Sequence, residues 1–301
     1  MTRLDPQGHG FSSLTIPVNG VPLHVARTGG GPPLLLVHGW PEFWLVWARC
    51  MTRLADRFDL IAPDLRGFGA SGKPAAGPSA EAGPDVLADD LVGLMDALGL
   101  ERVGLVAHDV GAYAAQALAR RAPERLAGLF LFNVPYPGIG RRWASADHLK
   151  EIWYQSFHQL PWAAELIGQS RATCRLYIGH FLRHWAHDAC AFDDDLEAWI
   201  DNFMRPGNLQ GGFNFYLSVA AFRAAAIREE LPPQPPITVP TRVLWGRHDP
   251  VLKVEWRDRL GEHFSNLEVG VAEDAGHFVH YEQPDLASAE IARFFARRFA
   301  P

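Results

Sequence analysis

Short apolar runs recur along this chain, separated by longer stretches in which apolar positions return every three or four residues. Apolar runs bounded by turn residues predict buried strands, and the longer repeat predicts helices with one covered face. Residues 14–17 and 21–28 are expected to pair antiparallel about the turn Asn19-Gly20. Residues 33–37, 58–63, 103–107, 126–133, 241–245 and 267–271 each predict a short buried strand. Residues 88–98, 111–121, 254–264 and 284–299 predict helices, and the small, Pro-rich stretch 75–84 predicts a loop. Alternation of this kind predicts an α/β fold, a mostly parallel sheet with helices on both faces.

The pattern changes between residues 140 and 231. Strand signals vanish there, and aromatic residues and helical spacing take over, as at 151–159 and 170–185. Leu231-Pro232-Pro233-Gln234-Pro235-Pro236 then returns the chain to a strand near Thr241. The expected organisation is a core at 1–139, an inserted helical lid at 140–231, and the rest of the core at 232–301. The insertion has too little apolar content to fold by itself, so a single structural unit is expected.

Composition narrows the function classes. With 301 residues, 48% of them hydrophobic, the chain can bury a sizeable core. A net charge of −6 with both signs interspersed, and no long Lys/Arg run, argues against a nucleic-acid partner. No apolar run approaches the roughly 20 residues that span a bilayer, so no membrane partner is expected. Residues 1–14 are polar and lack the apolar core of a signal peptide, which makes the cytoplasm the default location. Cys50, Cys174 and Cys190 are odd in number and not at metal-ligand spacing, so free thiols and no metal are expected.

The chemistry begins at Val103-Gly104-Leu105-Val106-Ala107-His108-Asp109-Val110-Gly111. An apolar strand runs into a turn whose small residues, Ala107 and Gly111, would let the chain bend sharply and lift side chain 109 above the sheet. A serine is usual at such an elbow; here it is Asp109. A carboxylate is a modest nucleophile toward carbonyls but can displace a leaving group at saturated carbon, forming an alkyl ester. The N–H groups and dipole of the following helix favour its ionised form. The bland alternative is a helix cap.

Two later loops supply partners. Asp274-Ala275-Gly276-His277-Phe278 brings His277 to the sheet edge as a general base, and Trp245-Gly246-Arg247-His248-Asp249 offers Asp249 to orient it. Nucleophile, acid and base then follow in the chain order of such elbow enzymes. Asn133, also at a strand end, carries no charge to stabilise an imidazolium. His248 is a weaker competitor for the base, His108 is expected to face packing, and His38 to be structural. Leu36-Val37-His38-Gly39-Trp40-Pro41 predicts a tight turn, with a cis bond expected before Pro41. The N–H groups of Trp40 and Val110 are the expected oxyanion donors, and each such donor lowers a barrier by about 3–4 kcal/mol.

Together these segments resemble the epoxide hydrolases of the α/β-hydrolase fold, similar to bacterial soluble members, over nearly the whole chain. The likeness includes His38-Gly39-Trp40-Pro41-Glu42-Phe43-Trp44 and Asp64-Leu65-Arg66-Gly67-Phe68-Gly69, of which Asp64 and Arg66 are expected to be structural. It also includes Trp153-Tyr154-Gln155-Ser156-Phe157-His158 and Gly211-Gly212-Phe213-Asn214-Phe215-Tyr216. The resemblance implies an eight-stranded α/β-hydrolase sheet, a small-molecule epoxide as partner, no cofactor, and Tyr154 and Tyr216 as ring-opening residues. Two phenols can hold an oxygen on which charge develops, and one can supply its proton. Tyr113, Tyr136, Tyr177 and Tyr281 are assigned to packing, while Phe43, Phe157, Phe213 and Phe215 are candidates for contacting an apolar substrate. Where relatives often have Trp after the nucleophile, this chain has Val110. A homodimer is compatible with the sequence. Dehalogenation by the same Asp109 is the main alternative, and a non-catalytic binding protein on the same fold is the other.

Overall fold

The computed structural model describes residues 10–73 and 82–299, so the loop expected at 75–84 lies outside the described residues as far as 81. The strands are β1 (Ser12–Val18), β2 (Val21–Gly29), β3 (Pro33–Val37), β4 (Asp59–Pro63), β5 (Val103–His108), β6 (Leu126–Phe132), β7 (Thr241–Gly246) and β8 (Leu267–Ala272). They form one sheet in the order β1-β2-β4-β3-β5-β6-β7-β8. The first two strands pair antiparallel with each other, β2 pairs antiparallel with β4, and every later pairing is parallel. At the β1–β2 turn Asn19 and Gly20 both take positive φ, 47° and 78°, as a two-residue turn of this hand requires.

Strands β4, β5 and β6 are buried at every position, which is why they read as unbroken apolar runs rather than as alternation. The expectation of a buried strand at 267–271 needs correction. β8 is an edge strand of the sheet, and only Ala272 in it is buried.

The helices are α1 (Ala48–Leu54), α2 (Pro84–Ala97), α3 (Asp109–Arg121), α4 (Leu149–Phe157), α5 (Ala163–Gly168), α6 (Arg171–Trp185), α7 (Leu196–Phe203), α8 (Asn208–Ile227), α9 (Val279–Glu282) and α10 (Pro284–Ala296). Helix α2 starts four residues earlier than its apolar spacing suggests, with Pro84 in its first turn, where a missing N–H costs nothing. A second correction concerns the helix expected at 254–264, which is a 3₁₀ segment, Val254–Glu262. Only Trp256 and Leu260 are buried there, so packing gives little drive for a regular α-helix.

Five helices, α4 to α8, lie between β6 and β7. Their buried side chains, including Tyr154, Phe181, Trp185 and Phe213, belong to the same apolar cluster as Leu35, Val106 and Phe132 of the sheet. No helix among the described residues is long and apolar enough to cross a membrane.

Candidate active site

The chain leaves β3 for β4 on one side and returns past it to β5, so strand order reverses between β3 and β5. In open α/β sheets the crevice beyond the C-terminal ends of strands at such a reversal is where ligands bind. The loop after β3 carries Gly39 and Trp40, and the turn after β5 carries Asp109. Asp109 takes φ +45°, a strained value for a residue with a side chain, immediately after extended His108. Two glycines allow this close meeting of loops. A Cβ on Gly39 would lie 2.5 Å from the Asp109 Cβ, and one on Gly111 would lie 2.6 Å from the carbonyl oxygens of Val37 and His38.

The Asp109 carboxylate has two differently occupied oxygens. The Trp40 N–H donates to Oδ1 at 3.0 Å. Oδ2 faces His277 Nε2 at 3.9 Å, and that ring nitrogen is buried without a hydrogen-bond partner. Val110 is the next residue of α3, and its amide lies in the helix's unpaired first turn. The Trp40-Pro41 bond is cis.

His277 is held from behind. Its Nδ1–H donates to Asp249 Oδ2 at 2.7 Å, and its backbone N–H donates to the Trp185 carbonyl at 2.8 Å. Asp249 Oδ1 accepts from the N–H groups of Val251 (2.8 Å) and Leu252 (2.9 Å), and Oδ2 also accepts from Asn133 Nδ2 at 2.6 Å. Burial alone would raise the Asp249 pKa, but the His277 charge and these donors keep it below the ordinary value. Burial likewise pushes His277 down, yet the surrounding carboxylates of Asp249, Asp109 and Glu42 outweigh it and lift the imidazole to about 9. Asn133 therefore supports the acid; its own Oδ1 accepts from Gly246 N–H at 3.1 Å, which ties β6 to β7.

Tyr154 on α4 and Tyr216 on α8 meet above Asp109. Their rings lie 5.6 Å apart, edge to face, and Tyr154 stacks on Trp40 at 5.3 Å. Both are buried. Burial raises both phenols far above the physiological range, with Asp109 adding at Tyr154 and both Tyr154 and Asp109 adding at Tyr216, so they stay protonated. Gln155 Nε2 donates to the Tyr154 hydroxyl at 3.1 Å, leaving that O–H free to donate elsewhere.

The four phenylalanines are spread more widely. Phe213 stacks on His158 at 3.8 Å, and Phe215 touches Tyr216 and Tyr113. Phe157 packs among Trp153, Trp162 and Tyr177. Phe43 sits against Trp199 of α7. Tyr136, Tyr177 and Tyr281 bond Trp256, His158 and Asp195 respectively. His38 accepts the Leu65 N–H at 3.1 Å, and His248 stacks on His187. Asp64 caps Trp44 and Ala70 amides, and Arg66 pairs with Asp90.

Three groups around the site are not singled out by sequence. His158, within the Tyr154 segment, is buried between Trp40 (4.6 Å) and Tyr216 (4.6 Å), and burial holds it neutral. Glu42 lies beneath Asp109: it accepts Gly39 N–H (2.6 Å), His108 Nδ1–H (2.9 Å) and His280 Nε2–H (3.1 Å). Burial would raise the Glu42 carboxyl, but the two imidazoles hold it well below its usual value. These three residues have donor atoms close enough to chelate a cation, and both oxygens of Glu42 are already engaged by N–H groups. Glu282 is the third. It accepts the N–H groups of Gly276 (3.0 Å) and Phe278 (3.1 Å) on either side of His277, and that of His187 (2.6 Å) beyond α6. The Glu in His-Gly-X-Pro-Glu was a visible signal for Glu42; Glu282 has none, because its partners are backbone amides.

The profile of the alpha/beta hydrolase fold family matches residues 32–284. The soluble epoxide hydrolase of Corynebacterium sp. (strain C12) is 29% identical over 291 residues, 93% of this chain and 95% of that protein. Epoxide hydrolase 3 of Siraitia grosvenorii is 30% identical over 324 residues, 93% of this chain and 97% of that protein. The solved structure of the epoxide hydrolase CorEH without ligand superposes with a TM-score of 0.82 at 28% identity, covering 95% of this chain and 99% of that one. The protein is a member of the α/β-hydrolase-fold family and groups there with the epoxide hydrolases.

Proposed function

We propose that this chain hydrolyses a small-molecule epoxide to a vicinal diol through an ester on Asp109. The observation that carries the reading is the unequal setting of one carboxylate. Oδ1 is held by the Trp40 N–H, while Oδ2 faces His277 beneath two protonated phenols. Oδ2 attacks an oxirane carbon, the carbon–oxygen bond of the ring breaks, and a phenol of Tyr154 or Tyr216 delivers its proton to the released oxygen.

Ester formation removes the Asp109 charge. His277 then loses one of the carboxylates that raise it to about 9, and it can pass its proton to the phenolate and become a base. Neutral His277 takes a proton from water, whose oxygen adds to Cγ of Asp109. The Trp40 N–H, with that of Val110, stabilises the oxyanion. The acyl–oxygen bond breaks, the diol oxygen takes the proton from His277, and the regenerated acid of Asp109 returns one to it. The water oxygen ends in the carboxylate, one of its protons in the diol and the other on His277, in place of the proton given to the phenolate, so the site returns to its starting ion pair.

The test is a pair of variants assayed for diol and for halide on matched epoxide and haloalkane panels. Asp109→Ala should abolish diol release, and His277→Gln should accumulate protein heavier by the mass of one epoxide. Halide release exceeding diol release by the wild type would favour the dehalogenase alternative. Wild-type diol release by Asp109→Ala would remove the proposal.

A further inference from the structure

Arg223 lies seven residues beyond Tyr216 on α8, and a helix returns to nearly the same face after two turns. Tyr113 lies four residues beyond Asp109 on α3, one turn along the same face. These two helices, each leading away from a proposed catalytic residue, converge on one small groove lined by Tyr113, Tyr136, Trp143, Phe222 and Arg223. The Arg223 guanidinium sits 4.9 Å over the Trp143 ring. Its charge acts on Tyr113, Tyr154 and Tyr216, the same three phenols that feel Asp109.

Arg223 is half-buried, and its guanidinium has no hydrogen bond or ion pair to any other of the described residues. Arg141 and Arg142, which precede Trp143 in the chain, are paired with Glu229 and Asp258. A partly desolvated cation with a planar fork of donors and no protein acceptor is suited to a carboxylate. Helical rise puts the groove about 6 Å from Asp109 along α3 and about 10 Å from Tyr216 along α8. We infer that Arg223 selects epoxides that carry a carboxylate about five carbons from the oxirane. This rests on the epoxide-hydrolase reading of Asp109. The aromatic wall of Tyr113 and Phe215 would hold the alkyl chain between the two ends.

The experiment compares 6,7-epoxyheptanoate with its primary amide, equal in length and uncharged, in wild type, Arg223→Met and Arg223→Lys. Wild type should prefer the carboxylate ten- to a hundredfold in kcat/KM, mostly through KM, and rising salt should shrink the preference. Arg223→Met should erase it while leaving amide turnover within about threefold, and Arg223→Lys should keep part of it. Equal use of both epoxides by wild type, or an equal loss on both in Arg223→Met, overturns the inference and leaves Arg223 as packing on Trp143. Calorimetric binding of heptanoate separates the two readings. Binding lost in Arg223→Met without diol release from either epoxide would retain the anion site and overturn the reaction; diol release without such binding would do the reverse.

Discussion

Replacing Asp249 with Asn tests how His277 is tuned. The substitution keeps the shape of the side chain, but the environment dictates which way the amide points. Oδ1 receives two backbone N–H groups, from Val251 and Leu252, so an amide oxygen must occupy that place. The amide nitrogen then falls where Oδ2 was, against the Nδ1 of His277 and the Nδ2 of Asn133. Donors would face donors there, unless His277 gives up the proton on Nδ1 and carries it on Nε2, the wrong nitrogen for a base facing the ester.

The rise of His277 from 6.5 to about 9 corresponds to about 3 kcal/mol favouring the imidazolium, at ~1.4 kcal/mol per pKa unit. Because the folded-state pKa is the raised one, this stabilisation is fully present below about 6.5 and is lost as pH climbs through 9. Asp249→Asn should therefore lower the His277 titration, followed by NMR of its ring proton, by more than ~2 pKa units. It should also flatten the wild-type decline in urea-unfolding free energy between pH 6.5 and 9.5 by about 3 kcal/mol. Ester breakdown should slow by about 10³- to 10⁴-fold, as when a base loses its orienting carboxylate and tautomer. A His277 titration unmoved by the substitution would refute the reasoning, since Asp109 and Glu42 alone would then have to outweigh burial.

The swapped pair Asn133→Asp with Asp249→Asn should return part of the His277 pKa and at least tenfold of the lost hydrolysis, because the two side chains are 2.6 Å apart; no recovery over Asp249→Asn alone would count against it. Gly39→Ala forces a Cβ to within 2.5 Å of that of Asp109 and should cut turnover more than ~100-fold by displacing the Trp40 N–H, which a crystal structure or a single-turnover measurement would reveal. Glu282→Gln can keep its amide oxygen where Oε1 accepts Gly276 and Phe278, which turns its NH2 against the His187 N–H, and should cost about 1–3 kcal/mol in urea unfolding; unchanged stability would show that the clamp is dispensable.

Much of the fold was legible because its signals are local. Fully buried parallel strands leave unbroken apolar runs, and β4, β5 and β6 lie within two residues of the runs that predicted them. The reading failed where burial depends on a neighbour in space. The runs at 103–107 and 267–271 look alike, but the first is central and the second is an edge strand. The 254–264 spacing is helical, yet with two buried side chains it stays 3₁₀.

The site divides along the same line. Sequence alone determined which groups could act: a carboxylate at an elbow flanked by small residues, and an imidazole and an acid in later strand-end loops, all backbone-local patterns; Tyr154 and Tyr216 came only from the family resemblance of their two segments. Only the tertiary structure decided that Asn133 supports Asp249, that Glu42 joins His108 and His280 near Asp109, and that Glu282 clamps the loop around His277. It also decided that Phe43 faces Trp199 and that Arg223 shares a groove with Tyr113. Apart from the Glu282 clamp, each of these depends on residues far apart in the chain coming into contact, where burial and charge act through space. No spacing along a sequence encodes such a contact.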